Sequence, residues 1–173
     1  MNETIKNLLT RRSVRAYLPK QVEESLLQQV LEAGTYAPTG GGRQTPVIVA
    51  VQNAETVWQL SRMNAAVNGA KSDPFYGAPT VLVVLAERSR GTYLLDGASV
   101  ITTLLNAAHA VGLGSCWVHR AKEEFESGEG KALLKEWGIE GDYEGVGHVI
   151  LGYAAEAPVE PAPRKENYVY RVK

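Results

Sequence analysis

Cysteine is nearly missing from this chain. Cys116 stands alone, which excludes an internal disulfide framework and fits a reducing compartment. Charge of one sign is not in excess either. Eighteen Lys and Arg face nineteen Asp and Glu, which argues against a general nucleic-acid or polyanion binder. No apolar run approaches the length that crosses a bilayer, and the opening MNETIKNLLT is too polar for a signal peptide. The expected location is cytoplasmic.

Several motifs are also absent. Neither G-x-x-x-x-G-K-[ST] nor G-x-S-x-G occurs. GLGSCW (112–117) starts as G-x-G but carries Trp117 where a dinucleotide fingerprint needs its third glycine, and GVGHVI (145–150) lacks it too. Cys116 and His119 have no second pair to complete a metal site. On a strand these two positions face opposite ways, against a Cys–His nucleophile. Cys116 reads as a small buried hydrophobe, and His109 and His148 as core or surface histidines.

What is present is an ordinary globular composition, 45% hydrophobic and 21% charged over 173 residues, enough for one domain with a core. Ile5, Leu8 and Leu9 give the first segment one apolar helical face. Val22, Leu26, Leu27, Val30 and Leu31 predict a second amphipathic helix, with Gly34 placed as its C-cap. The segment YAPTGGGRQTP is a loop. PVIVAVQN predicts a buried strand, AETVWQLSRMNAAV a helix, and residues 78–87 a second buried strand. Residues 94–114 are apolar nearly all round, the pattern of a helix through the middle of a core. SCWV and VGHVILGY predict two more strands, and AKEEFESGEGKALLKEWGI a helix interrupted at Gly128 and Gly130. Mixed helices and short strands predict an α+β fold, a central sheet covered by helices. From Ala154 onward the chain turns proline-rich. The valines and tyrosines of its end (Tyr168, Val169, Tyr170, Val172) suit a docked arm better than a disordered tail.

Arg11, Arg12 and Arg15 fall within five positions. At the last turn of a helix, arginines interact with the helix dipole and need no ligand. Guanidinium forks also bind phosphate oxygens two at a time. The stretch alone leaves both open. Beyond it lie the glycines at 40–42 and a basic pair, Arg164 and Lys165.

RRSVRAY, then APTGGGRQTP, then GLGSCW after a long apolar helix, then a basic residue after a proline-rich stretch: in that order and spacing the chain resembles the FMN-dependent nitroreductase family from Arg11 to about Lys165. The resemblance implies a mostly antiparallel sheet within an interlocked homodimer, residues 1–173 forming one FMN-binding domain and residues 154–173 an arm around the partner. It implies that Arg11 and Ser13, with Arg12 alongside, hold the FMN phosphate and ribityl chain, and that Arg164 with Lys165 closes on the phosphate. It sets Arg15 near the flavin N1 and O2, where a cation stabilises reduced flavin. Pro38, Thr39 and Gly40 of the partner would line the opposite edge of the ring. Trp117, Val118, His119 and Arg120 would back it through main-chain groups, and Asn64 would reach the pyrimidine edge. The family commonly reads A-P-S-x-x-N-x-Q-P-W in the second motif. Here Gly42 replaces the asparagine and Thr45-Pro46 the final pair, so substrate preference is not inherited.

The implied activity is hydride transfer from NAD(P)H through flavin N5 to an electron-poor acceptor, a nitroaromatic or a quinone. No side chain need serve as acid or base, because the cofactor carries the chemistry. Enone reduction and dehalogenation on the same scaffold stay open, as does a module that holds flavin without turnover.

Overall fold

Val81 to Ala86 is an unbroken run of six apolar residues, which suits a strand covered on both faces. In the computed structural model of the chain, which describes residues 1–173, that run is the centre of β2 (Thr80–Glu87) and all of it is fully buried. β1 (Pro46–Val51) and β4 (Tyr143–Gly152) flank β2, and β3 (Gly114–Val118) lies outside β4. Every neighbouring pair is antiparallel. The expected α+β class and antiparallel sheet are both found.

Because side chains alternate along a strand, β2 serves two cores. Leu82, Val84 and Ala86 join Val149 and Leu151 beneath α2 (Glu24–Thr35) and α4 (Tyr93–Ala110). Val81, Val83 and Leu85 join Cys116, Val118 and Ile150 beneath α3 (Ala54–Asn68), α5 (Ala121–Glu126) and α6 (Gly128–Glu136). Each such side chain contributes about 1.5–3 kcal/mol of burial. Opposite Val84 and Leu85 the ladder slips, and β4 carries Val146 as an extra residue, a β-bulge. Glycines flank it because nothing larger fits. A Cβ on Gly145 would lie 2.2 Å from the Ala121 carbonyl oxygen, and one on Gly147 2.3 Å from Trp117 Nε1.

The first helix, α1 (Glu3–Thr10), is followed by an extended segment that runs along the sheet's outer edge. Val14 N–H donates to the Ser115 carbonyl at 3.0 Å, Leu18 N–H to Tyr153 at 2.9 Å, and Ala155 N–H to Ala16 at 2.9 Å. Residues 13–17 thereby cover the free side of β3 and the end of β4.

Some expectations need correction. Gly34 is not a C-cap but lies inside α2, where a Cβ would stand 2.5 Å from Leu104 Cδ2; its role is close helix–helix approach. β1 is an edge strand and mostly half-buried rather than buried. α4 does not run through the middle of a core: it buries the Val100–Ile101–Leu104–Leu105 side and leaves Leu94 and Leu95 exposed. The break after residue 121 falls at Ser127, whose hydroxyl accepts from Gly130 N–H as the cap of α6. In the protomer the end of the arm, residues 168–172, is exposed and pairs with no strand.

Gly145→Ala is expected to destabilise the protein by about 1–3 kcal/mol through overpacking against Ala121. Gly128→Ala, where a Cβ meets open space, is expected to be neutral or stabilising by up to about 1 kcal/mol. Urea unfolding of the two variants checks the contrast.

Candidate functional site

Helix α1 stops at Thr10, so the three arginines lie beyond its last turn rather than in it. Arg12 Nη1 donates to the carbonyls of Leu9 at 2.8 Å and Arg11 at 2.7 Å, satisfying acceptors that a helix end leaves open. One arginine is thus partly structural. The rest of the cluster is under-used: Arg11 Nη1, Arg12 Nε and the neighbouring Ser115 Oγ are buried without any hydrogen-bond partner. None of Arg11, Arg12, Arg15 or Arg164 is ion-paired with a carboxylate.

These residues line one cleft of about 780 Å³, walled by Leu8, Leu9 and Arg11–Ser13 with Arg15 on one side and by residues 159–164 on the other. Arg164 therefore meets the arginine cluster, its own Nε and Nη2 donating to the Ala162 carbonyl. Lys165 lies outside the cleft wall, its ammonium 5.2 Å above the Tyr168 ring. Glu160 is the one acid among the lining residues. Buried guanidinium donors without acceptors are costly, and an anion with several oxygens, such as a phosphate, satisfies them. The field extends to His109, which shares a hydrogen bond with Thr10 Oγ1 at 2.9 Å. Burial, and then the charges of Arg11 and Arg12, push its pKa below the ordinary histidine value.

The other expected site residues lie elsewhere in the protomer. Pro38, Thr39 and Gly40 belong to a loop pinned by Asp96 of α4, a buried residue. Its carboxylate accepts from Gly40 N–H at 2.9 Å, Thr92 Oγ1 at 3.2 Å and Thr45 Oγ1 at 3.3 Å. Gly41 and Gly42 both take positive φ, at 62° and 65°, where glycine is at ease. Trp117 ends on the exposed side of β3, Val118 is buried, His119 is exposed, and Arg120 adopts φ 80° ahead of α5.

Asn64 does not match its expected role. It is fully buried, and its amide donates to the His119 carbonyl at 2.6 Å and to the Glu124 carboxyl. With both amide hydrogens committed, it braces the 117–120 turn from below instead of presenting itself to a ring.

Ser115, Asp96, Glu124 and His148 went unnoticed as parts of this region. Asp96 and Glu124 could have been found from phase: each lies on the buried face of its helix, four residues before Val100 and three after Ala121. Asp96→Ala is expected to cost about 2–3 kcal/mol by orphaning buried donors. Urea titration measures the cost, and amide exchange should quicken across residues 38–45 while β2 stays protected.

Comparison with known proteins identifies the family and the fold. Residues 8–153 match the sequence pattern of the Nitroreductase family. A nitroreductase with bound FMN from Bacteroides fragilis superposes with a TM-score of 0.91 at 29% identity, covering 100% of both chains. Another, from Desulfitobacterium hafniense and also with bound FMN, gives 0.88 at 27% identity over 99% of this chain and 100% of that one. An Archaeoglobus fulgidus protein carrying the name NADH dehydrogenase/NAD(P)H nitroreductase is 28% identical over 158 residues, 88% of this chain and 86% of its own. With the family pattern spanning the sheet, both cores and the Arg11–Arg15 wall of the cleft, the chain belongs to the nitroreductase family.

Proposed function

We propose that this chain is an FMN-dependent oxidoreductase that moves hydride from NAD(P)H to an electron-poor acceptor such as a nitroaromatic or a quinone. The observation that carries the reading is the arginine cleft: guanidinium groups from residues 11–15 and from Arg164 gathered free of any ion pair, with two of their donors, Arg11 Nη1 and Arg12 Nε, buried without an acceptor. That donor set fits the FMN phosphate. When bound, FMN supplies hydride acceptance and donation at N5.

The chain's own residues supply grip, placement and field. Arg11, Ser13 and Arg164 hold the phosphate, and Arg12 contributes its free Nε while its Nη1 closes helix α1. Arg15, exposed at the same cleft, is the cation available to negative charge on a reduced ring. The Trp117–Arg120 turn gives the ring a rigid main-chain backing. The Pro38–Gly40 loop serves the partner's site.

We read the assembly as a homodimer. Ile5, Leu8 and Leu9 of α1 are 45%, 51% and 58% exposed, an apolar face that a lone protomer leaves open. Leu95 of α4, with Tyr168, Val169 and Tyr170 of the arm, extends the same demand. A second copy, embraced by residues 154–173, covers such surface by symmetry. No helix is long and apolar enough to cross a membrane.

Purified protein is expected to show flavin absorption that bleaches on anaerobic addition of NADH or NADPH and returns with a quinone or nitroaromatic. Flavin that binds but never bleaches would identify a holding module instead. Arg11→Ala should weaken FMN binding about 10–100-fold, the loss of a charge-assisted hydrogen bond, read by flavin retention on gel filtration.

A third measurement tests the phosphate's position. An anion that neutralises Arg11 and Arg12 removes two of the causes that depress His109. Its pKa should therefore rise when FMN binds, as followed by NMR titration of the ring. An unchanged His109 would place the phosphate elsewhere.

A further inference from the structure

Three side chains in the α3/α5 layer form a polar chain where the rest is apolar. Asn64, Glu124 and His148 are 0%, 1% and 0% exposed, on α3, α5 and β4. His148 Nε2 donates to both carboxyl oxygens of Glu124, at 3.0 and 3.1 Å. Its ring is wedged between Phe75, with centroids 5.3 Å apart, and Phe125, at 6.2 Å. Glu124 also accepts from Asn64 Nδ2, and that amide donates its other hydrogen to the His119 carbonyl oxygen. Arg120 Nη1 donates back to the main-chain and side-chain oxygens of Asn64, at 3.4 Å each. The chain thus runs from the middle of β4 to the peptide joining residues 119 and 120.

Packing does not require it. Burying such groups costs free energy even when they are well paired, and apolar residues of similar volume often serve stability as well or better. What hydrogen bonds add to packing is direction. Here the direction is imposed on one carbonyl and on Arg120, a non-glycine residue at φ 80°, a conformation that persists only where its surroundings dictate it.

Resting on the flavin reading above, we propose that His148 and Glu124, acting through Asn64, are positioning residues for the Trp117–Arg120 turn and hold its main chain in the geometry that hydride transfer at the ring requires. None of the three is placed to touch a bound flavin, all being 1% exposed or less. They act by removing freedom from the turn, and small misplacement of reacting groups costs large factors in rate.

Two variants test this. Glu124→Gln keeps the shape but leaves one acceptor oxygen for two donors. The double variant E124L/H148F replaces the pair with apolar groups of similar size, so it preserves the fold while erasing the chain. In the FMN-free proteins, amide exchange of residues 117–121 should quicken about tenfold while β2 is unchanged. In the FMN-loaded proteins, flavin content and the KM for NADH should stay within about twofold of the parent. Anaerobic flavin reduction in rapid mixing should slow about 10–100-fold. Returning Glu124 and His148 together restores both.

Unchanged exchange at the turn, or unchanged flavin reduction, overturns the proposal. So does failure of both variants to fold, which would make the chain a requirement of the fold itself. A parent protein that takes up no FMN defeats the flavin reading instead, and the exchange measurement on FMN-free protein still reports on the turn.

Discussion

The pairing of residues 13–18 with the sheet is the constraint on which the rest of this site depends. Val14 is tied to Ser115, Leu18 to Tyr153 and Ala155 to Ala16, all through backbone hydrogen bonds. Because the segment after α1 and the segment after β4 leave the sheet at the same corner, arginines near the start of the chain meet Arg164 near its end. No side-chain affinity between the two segments is needed. Once β3 and β4 are in register, the polypeptide has little choice about where the guanidiniums go.

The rest of the architecture divides labour. β2, dry on both faces, demands helices on both sides and so fixes two cores. Polar function is left to places the cores do not claim: the outer edge beyond β3, the loop at 38–45, and the turn between β3 and α5. The buried polar residues Asp96, Glu124 and Asn64 are the ties between those places and the cores. Each sits on the inward face of a helix; Asp96 and Asn64 reach out to a loop or turn backbone, and Glu124 links Asn64 to His148.

Much of this was legible in the sequence for a physical reason. Periodicity records burial within one chain, so β2, α2 and α3 could be read directly, and motif order across the chain pointed to the family. Periodicity failed where burial is not decided by local pattern. PVIVAV reads as a covered strand yet lies at an edge, since apolar content does not say which strand is outermost. LLDGASVITTLLNAAHA reads as wholly buried, yet one side of α4 faces outward. Gly34 looked like punctuation because close helix approach and helix termination both select glycine. Asn64 was assigned a ligand-facing role by position, whereas its partners His119 and Glu124 lie 55 and 60 residues away, a separation no local pattern reveals.

Cys116 makes the inner layer addressable from outside. Its thiol is buried in β3 and faces the core beneath α3, α5 and α6, while the backbone bond from Val14 to Ser115 covers only the strand's edge. Reaction of the chain's sole sulfhydryl with a thiol reagent therefore needs that core to open, and its rate reads out how often the layer does so.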